Sequence, residues 1–392
     1  MKLRNLLFAV AAILCSGLFA QETFPPIEVI TGTYLGKTVP MRDFPTYDGT
    51  QGDNRPRVLA LNESTTEIVE HEGAPTVIPN LQTEMGQIET LPIDQNFVGA
   101  SASEAGGVFP PDPTGAVGPN HYVHSVNILV KIFDKTGNLQ VGPVDLGAFL
   151  GGTSFGDPIV MYDQLADRWV VSGFGNLNQG NTLLFGVSET NDPGGAYNVY
   201  SYDYSALPDY PHYGVWHDGY YGTINLGGFD TRGLVMERDV MLAGGPDPQI
   251  LVFSLPDVVV NPNQVKSPEP ATLLGTTIDT SLPGYITYLQ DDGWTSAIPF
   301  DHVKVWEIVP DWTNISNSTI SAPLEIPTDP FDSGELFGNG NGALRQPGTS
   351  QRLAGHGGIV SFPAPYRDFD LYRAVLALRF HFQTILPSRK DL

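Results

Sequence analysis

The sequence predicts an all-β protein, a β-propeller of four-stranded antiparallel blades that is incomplete at the C-terminus. Three observations lead there. Gly (43) and Pro (33) make up about a fifth of the 392 residues, against a usual share of roughly 12%, which leaves little room for long helices. Short apolar runs bounded by turn residues recur every ~10 to 15 positions, with no helix-length amphipathic segment between them. A two-strand unit also repeats, and repetition at blade length is expected of a propeller rather than a sandwich.

The N-terminus reads as a secretory signal peptide over residues 1–20. Lys2 and Arg4 precede the apolar run Leu6 to Leu14, and a small-residue stretch from Ser16 to Ala20 ends before Gln21. The run is too short to span a bilayer. Acylation at Cys15 would need a small residue before it, and Leu14 stands there. Cys15 is the only cysteine, so a mature chain would be exported without disulfides. Cleavage would leave 18 bases against 43 acids. Such a balance excludes a nucleic-acid partner, because phosphate backbones are held by clustered Lys and Arg. It admits calcium as a counterion. The mature chain offers no transmembrane helix.

Residues 21–108 form an acidic Pro- and Gly-rich leader in which no period of 3.6 or 2 persists. It reads as extended and weakly structured, as a pro-segment, or as a strand lying along the main domain. Residues 109–370 carry the repeat. Strand candidates are Tyr122–Phe133, Ile159–Tyr162, Trp169–Phe174, Leu183–Ser188, Tyr197–Tyr202, Tyr220–Asn225, Ile250–Phe253, Tyr285–Leu289 and Val303–Ile308. Pro158–Asp163 followed by Arg168–Gly173 aligns with Tyr213–Asp218 followed by Gly219–Asn225, so 157–204 and 209–254 are each expected to be one four-stranded sheet. The tail, 371–392, has four bases and one acid in an acidic chain. It reads as an amphipathic helix, or as a truncated or frame-shifted end.

Several segments together resemble a widespread family of large secreted bacterial β-propeller-like proteins. They include Pro110-Pro-Asp-Pro-Thr-Gly-Ala-Val-Gly-Pro-Asn-His-Tyr-Val123, Gly156–Asp163, Asp167-Arg-Trp169, Ser188-Glu-Thr-Asn-Asp-Pro193 and Asp209-Tyr-Pro211. Glu237–Leu242, Val303–Trp306, Asp311-Trp312 and Gln346–Gly348 add to the set. The resemblance covers about 97–370 and implies an exported protein, often with adhesive or type IX secretion sorting modules. It implies no particular reaction.

Gly152-Thr-Ser-Phe-Gly156 matches the nucleophile elbow, but Asp157-Pro158 follows where that motif needs a helix. His356-Gly-Gly358 resembles an oxyanion loop and lacks the fold around it. Asn120, Asp163, Asp218 and Asp279 fall at repeated turns and are expected to bond their own backbone. Asp157, Asp209 and His212 fall at the entrance of a blade's first strand, which in a propeller lines the channel, and are the ligand-binding candidates. No metal motif or catalytic signature stands out. The sequence therefore favours a non-catalytic secreted or cell-surface module that binds extracellular glycans or surface proteins, over a polysaccharide-active glycoside hydrolase or lyase on the same scaffold.

Overall fold

The computed structural model describes residues 21–49, 93–101, 103–107, 111–152, 156–175, 181–228, 230–260, 267–331, 344–345, 352–353, 363–368 and 374–376. The signal-peptide reading, most of the leader, Ser154 of the elbow match, His356–Gly358 and all of the tail except 374–376 lie outside them. Among the described residues no helix is long and apolar enough to cross a membrane.

Three leader strands come first, β1 (Thr23–Phe24), β2 (Glu28–Thr31) and β3 (Thr33–Lys37). The first sheet holds β4 (Pro113–Val117), β5 (His121–Val126), β6 (Leu129–Asp134) and β7 (Leu139–Asp145). A short helix α1 (Leu146–Phe149) leads to the second, β8 (Ile159–Asp163), β9 (Arg168–Phe174), β10 (Asn181–Ser188) and β11 (Tyr197–Tyr204). The third holds β12 (Pro208–Val215), β13 (Tyr220–Leu226), β14 (Asp230–Met236) and β15 (Gln249–Ser254), with helix α2 (Arg238–Ala243) before its last strand. The fourth holds β16 (Glu269–Leu273), β17 (Gly284–Gln290), β18 (His302–Val309) and β19 (Thr319–Ser321), with β20 (Leu324–Pro327) also paired to β18. A two-stranded ladder of β21 (Leu344–Arg345) and β22 (Arg352–Leu353) follows, then β23 (Ala364–Asp368), parallel to β16, and β24 (Ala374–Leu376). The chain is all-β, and the sheets expected at 157–204 and 209–254 are present as antiparallel meanders.

Both faces of the middle sheets are buried, which explains why their strands read as nearly continuous apolar runs. In β9, Val170 and Phe174 join the cluster shared with the third sheet, while Trp169 and Val171 join the cluster shared with the first. In β15, Ile250 and Val252 face the second sheet, and Leu251 and Phe253 face the fourth. Successive sheets thus stack face to face, with their first strands as neighbours in the order β4, β8, β12 and β16, and β23 adds to the fourth sheet beside β16.

One sequence reading is corrected and another is narrowed. The single run Tyr122–Phe133 is a hairpin, because Asn127 turns the chain at φ 52° and its side chain donates to Asp112 Oδ2 at 3.3 Å. Of the alternatives for the leader, residues 23–37 take the one of strands lying along the main domain. β3 pairs with β11, β2 with β15 and β1 with β19, so residues 23–37 run backward over the outer edges of three sheets. Backbone pairing of this kind needs no side-chain pattern. It covers edges that would otherwise expose N–H and C=O groups.

Asp163 follows the turn reading and goes beyond it. Its Oδ1 accepts from the backbone of Leu165 and Ala166 at 3.0 Å each. The same buried carboxylate takes Arg238 Nε at 2.7 Å, Arg238 Nη2 at 3.1 Å and the Tyr220 hydroxyl at 3.0 Å, all from the third sheet's chain segment. Replacing Asp163 by Ala leaves Arg238 buried without its counter-charge. The expected cost is about 3–5 kcal/mol, read as a lowered midpoint in urea unfolding. An unchanged midpoint would show that the second and third sheets do not depend on this pair.

Candidate active site

β12 and β16 meet side by side. Gly214 is the point of closest approach: a Cβ there would lie 2.3 Å from the carbonyl oxygen of Ala271, so only glycine fits. Thr272 Oγ1 accepts from the Val215 amide at 3.1 Å, and Thr223 donates to the Pro268 carbonyl at 2.7 Å. These contacts hold the entrance of the third sheet against that of the fourth.

At that entrance β12 carries a bulge. Asp209 pairs with Asn225 and His212 with Thr223, so Tyr210 and Pro211 together oppose Ile224. Tyr210 sits in the left-handed region at φ 52°, which is uncommon for a bulky side chain. Bulges re-aim side chains, and this one brings the Tyr210 and His212 rings to 4.5 Å between centroids. His212 Nδ1 meets Glu269 Oε1 in a short contact across the two sheets.

The Glu269 side chain has no exposed surface, and its Oε2 is buried without a hydrogen-bond partner among the described residues. Burial pushes its carboxyl up to about 7, against an opposing pull from the His212 charge and bond. Tyr210 is pushed up to about 12 by burial first, then by the charges of Glu269 and Asp209. Both carboxylates are therefore electrostatic neighbours of one phenol. His212 Nε2 has no hydrogen-bond partner among the described residues, and its ring is 15% exposed, so it is the part of the pair that a ligand can reach.

Of the three candidate residues, Asp209 and His212 both lie on this bulge. Asp157, half-buried and in a left-handed conformation at φ 47°, precedes β8 in the second sheet and belongs to a different entrance. Glu269 was missed because Pro268-Glu-Pro270 reads as a loop. A signal existed in the recurrence of an acid beside a proline at each entrance: Asp112-Pro113, Asp157-Pro158, Asp209-Tyr-Pro211 and Glu269-Pro270.

Elsewhere, Asp291, Asp292 and Asp301 offer carboxylate oxygens within 4.8 Å of one another. Backbone donors already serve this group: Gly293 to Asp291, Asp292 to Asp301 and Phe331 to Asp301, at 2.6 to 2.8 Å.

No protein-family model and no curated protein matches the chain. Among solved structures it is similar to a GH43 β-1,3-galactosidase, with 9% identity over 54% of this chain and 57% of that chain and a TM-score of 0.27. It is also similar to an exo-β-1,3-galactanase from Phanerochaete chrysosporium in complex with β-1,3-galactotriose, with 11% identity over 55% and 49% and a TM-score of 0.29. The chain spans about half the length of each. Such scores transfer no residue roles. Both are glycoside hydrolases, and the expectation of a glycan-binding module without catalytic groups is corrected. The fold brings a carboxyl and an imidazole from distant segments into direct contact, which strand spacing does not reveal.

Glu269 makes a pH signature. A carboxyl raised from 4.5 to about 7 on folding keeps a proton that the unfolded chain releases, so its stabilising contribution is full below about 4.5 and is lost as pH rises through about 7. Denaturant unfolding from pH 4.5 to 8 should lose about 3 kcal/mol from this group. Glu269→Gln should flatten that slope, and an unaltered slope would mean that Glu269 is ionised throughout.

Proposed function

We propose that the chain is an exported polysaccharide-active glycoside hydrolase on a β-propeller scaffold, with its acid–base centre at His212 and Glu269. The propeller reading is supported by four meanders stacked face to face with their first strands side by side. The observation that carries the activity is the buried Glu269 carboxyl, raised to about 7 against a mostly buried imidazole at a strand bulge.

Glycosidic hydrolysis needs a proton for the departing oxygen and a base for the incoming water. His212 Nε2–H supplies the first. As the C–O bond at the anomeric carbon breaks, that proton passes to the leaving oxygen. Glu269 at Nδ1 fixes the ring. Asp209, half-exposed on the same bulge, takes a proton from the water whose oxygen adds to the anomeric carbon. Tyr210 packs on the imidazole and limits its orientations.

Reducing-end release from a panel of neutral β-linked polysaccharides tests this. With a substrate that is cleaved, His212→Ala and Glu269→Gln should each lower kcat by about 10²–10⁴, with the fold retained by circular dichroism. Full activity in both variants would remove this centre from the reaction.

A further inference from the structure

A cavity of about 380 Å³ lies at the outer edge of the first sheet, away from His212 and Glu269. Its volume is that of an ordinary small-ligand site, ~300–1,000 Å³. One wall is the 3-10 turn Met41–Asp43, and the other includes His121 of β5 and Gln140 of β7, with buried Ile132 at the base.

The polar wall is preorganised. The amides of Met41 and Arg42 donate to the carbonyls of Gly195 and Gly194 at 2.9 and 3.1 Å, which anchors the turn to the loop after β10. Arg42 Nε donates to the Gly194 carbonyl at 3.0 Å, and its Nη2 meets Asp192 Oδ2. The other Asp192 oxygen accepts from the Gly194 amide at 3.0 Å. Gly194 is needed for this closeness, since a Cβ there would lie 3.0 Å from Arg42 Nη2 and 3.2 Å from Val141. Asp192 belongs to the Ser188–Pro193 segment singled out in the sequence, and the proposed reaction makes no use of it.

The geometry points to a second saccharide site here, for a neutral sugar of about one or two rings. The charges of Arg42 and Asp192 already balance. An anion would confront Asp192 and an ammonium would confront Arg42, whereas a hydroxyl both donates and accepts. A pair of sugar hydroxyls therefore meets guanidinium and carboxylate together without separating them. Gln140 adds an acceptor, because its amide nitrogen is engaged by Asp134 Oδ2 and the Asn138 carbonyl, each at 3.2 Å, and its carbonyl oxygen remains.

Saturation-transfer NMR on the full mature chain tests the site with galactose, cellobiose and xylobiose, alongside inorganic phosphate and glucosamine. At least one neutral sugar should bind, with affinity reduced about tenfold in Arg42→Ala and in the exposed variant Gln140→Ala, and unchanged in His212→Ala. The last arm separates this site from the proposed catalytic centre. The proposal is overturned if no neutral sugar binds, if binding survives both substitutions, if only His212→Ala abolishes it, or if phosphate or glucosamine binds more tightly than every neutral sugar. Thermal melts of both variants exclude unfolding, and Gln140→Ala alone decides the outcome if Arg42→Ala fails to fold.

Discussion

Asp163 is the carboxylate around which the neighbouring sheets are organised. It ends its own strand by capping a turn, and from the next sheet's segment it takes a guanidinium and a phenol. A charge wholly removed from water tolerates few arrangements, so the group acts as a registration point as much as a source of stability. The apolar clusters on either side are less selective, since Leu, Val and Tyr contacts can slide. With the second and third sheets set in register, β12 is placed, and with it the bulge that presents Tyr210 and His212.

The site at the next junction reuses the same device with a different balance. Asp163 is compensated by a permanent cation and backbone donors, whereas Glu269 has only an imidazole and leaves one oxygen without a partner. Full compensation suits a structural corner. Partial compensation leaves the Glu269 carboxyl raised to about 7. Gly214 allows this by bringing β12 onto β16, and the leader strands protect the outer edges far from the site.

Architecture was legible to the extent that it depends on local pattern. The runs at 169–174, 183–188 and 250–253 declared strands because β-branched and aromatic residues filled both faces, and the turns at Asp163 and Asp279 followed from side chains that bond their own backbone. Leader strands β1–β3 were legible only as one alternative among three, because an edge strand is held by its main chain and its side chains are mostly exposed. The hairpin at Asn127 was hidden in a continuous apolar run, since a buried asparagine in the left-handed region looks in sequence like any polar interruption.

The sequence by itself determined the β class, the sheet-length repeat and the acidic composition, because composition, turn residues and spacing act over a few positions. It also placed Asp209 and His212 at a strand entrance. Only the tertiary structure decided that His212 meets Glu269, which lies 57 residues away in the chain, and that Arg42 meets Asp192, which lies 150 away. The physical reason is that desolvation belongs to a place in the fold rather than to a residue. Glutamate between two prolines is an ordinary surface acid until two sheets close over it, and its raised proton affinity exists only in that enclosure.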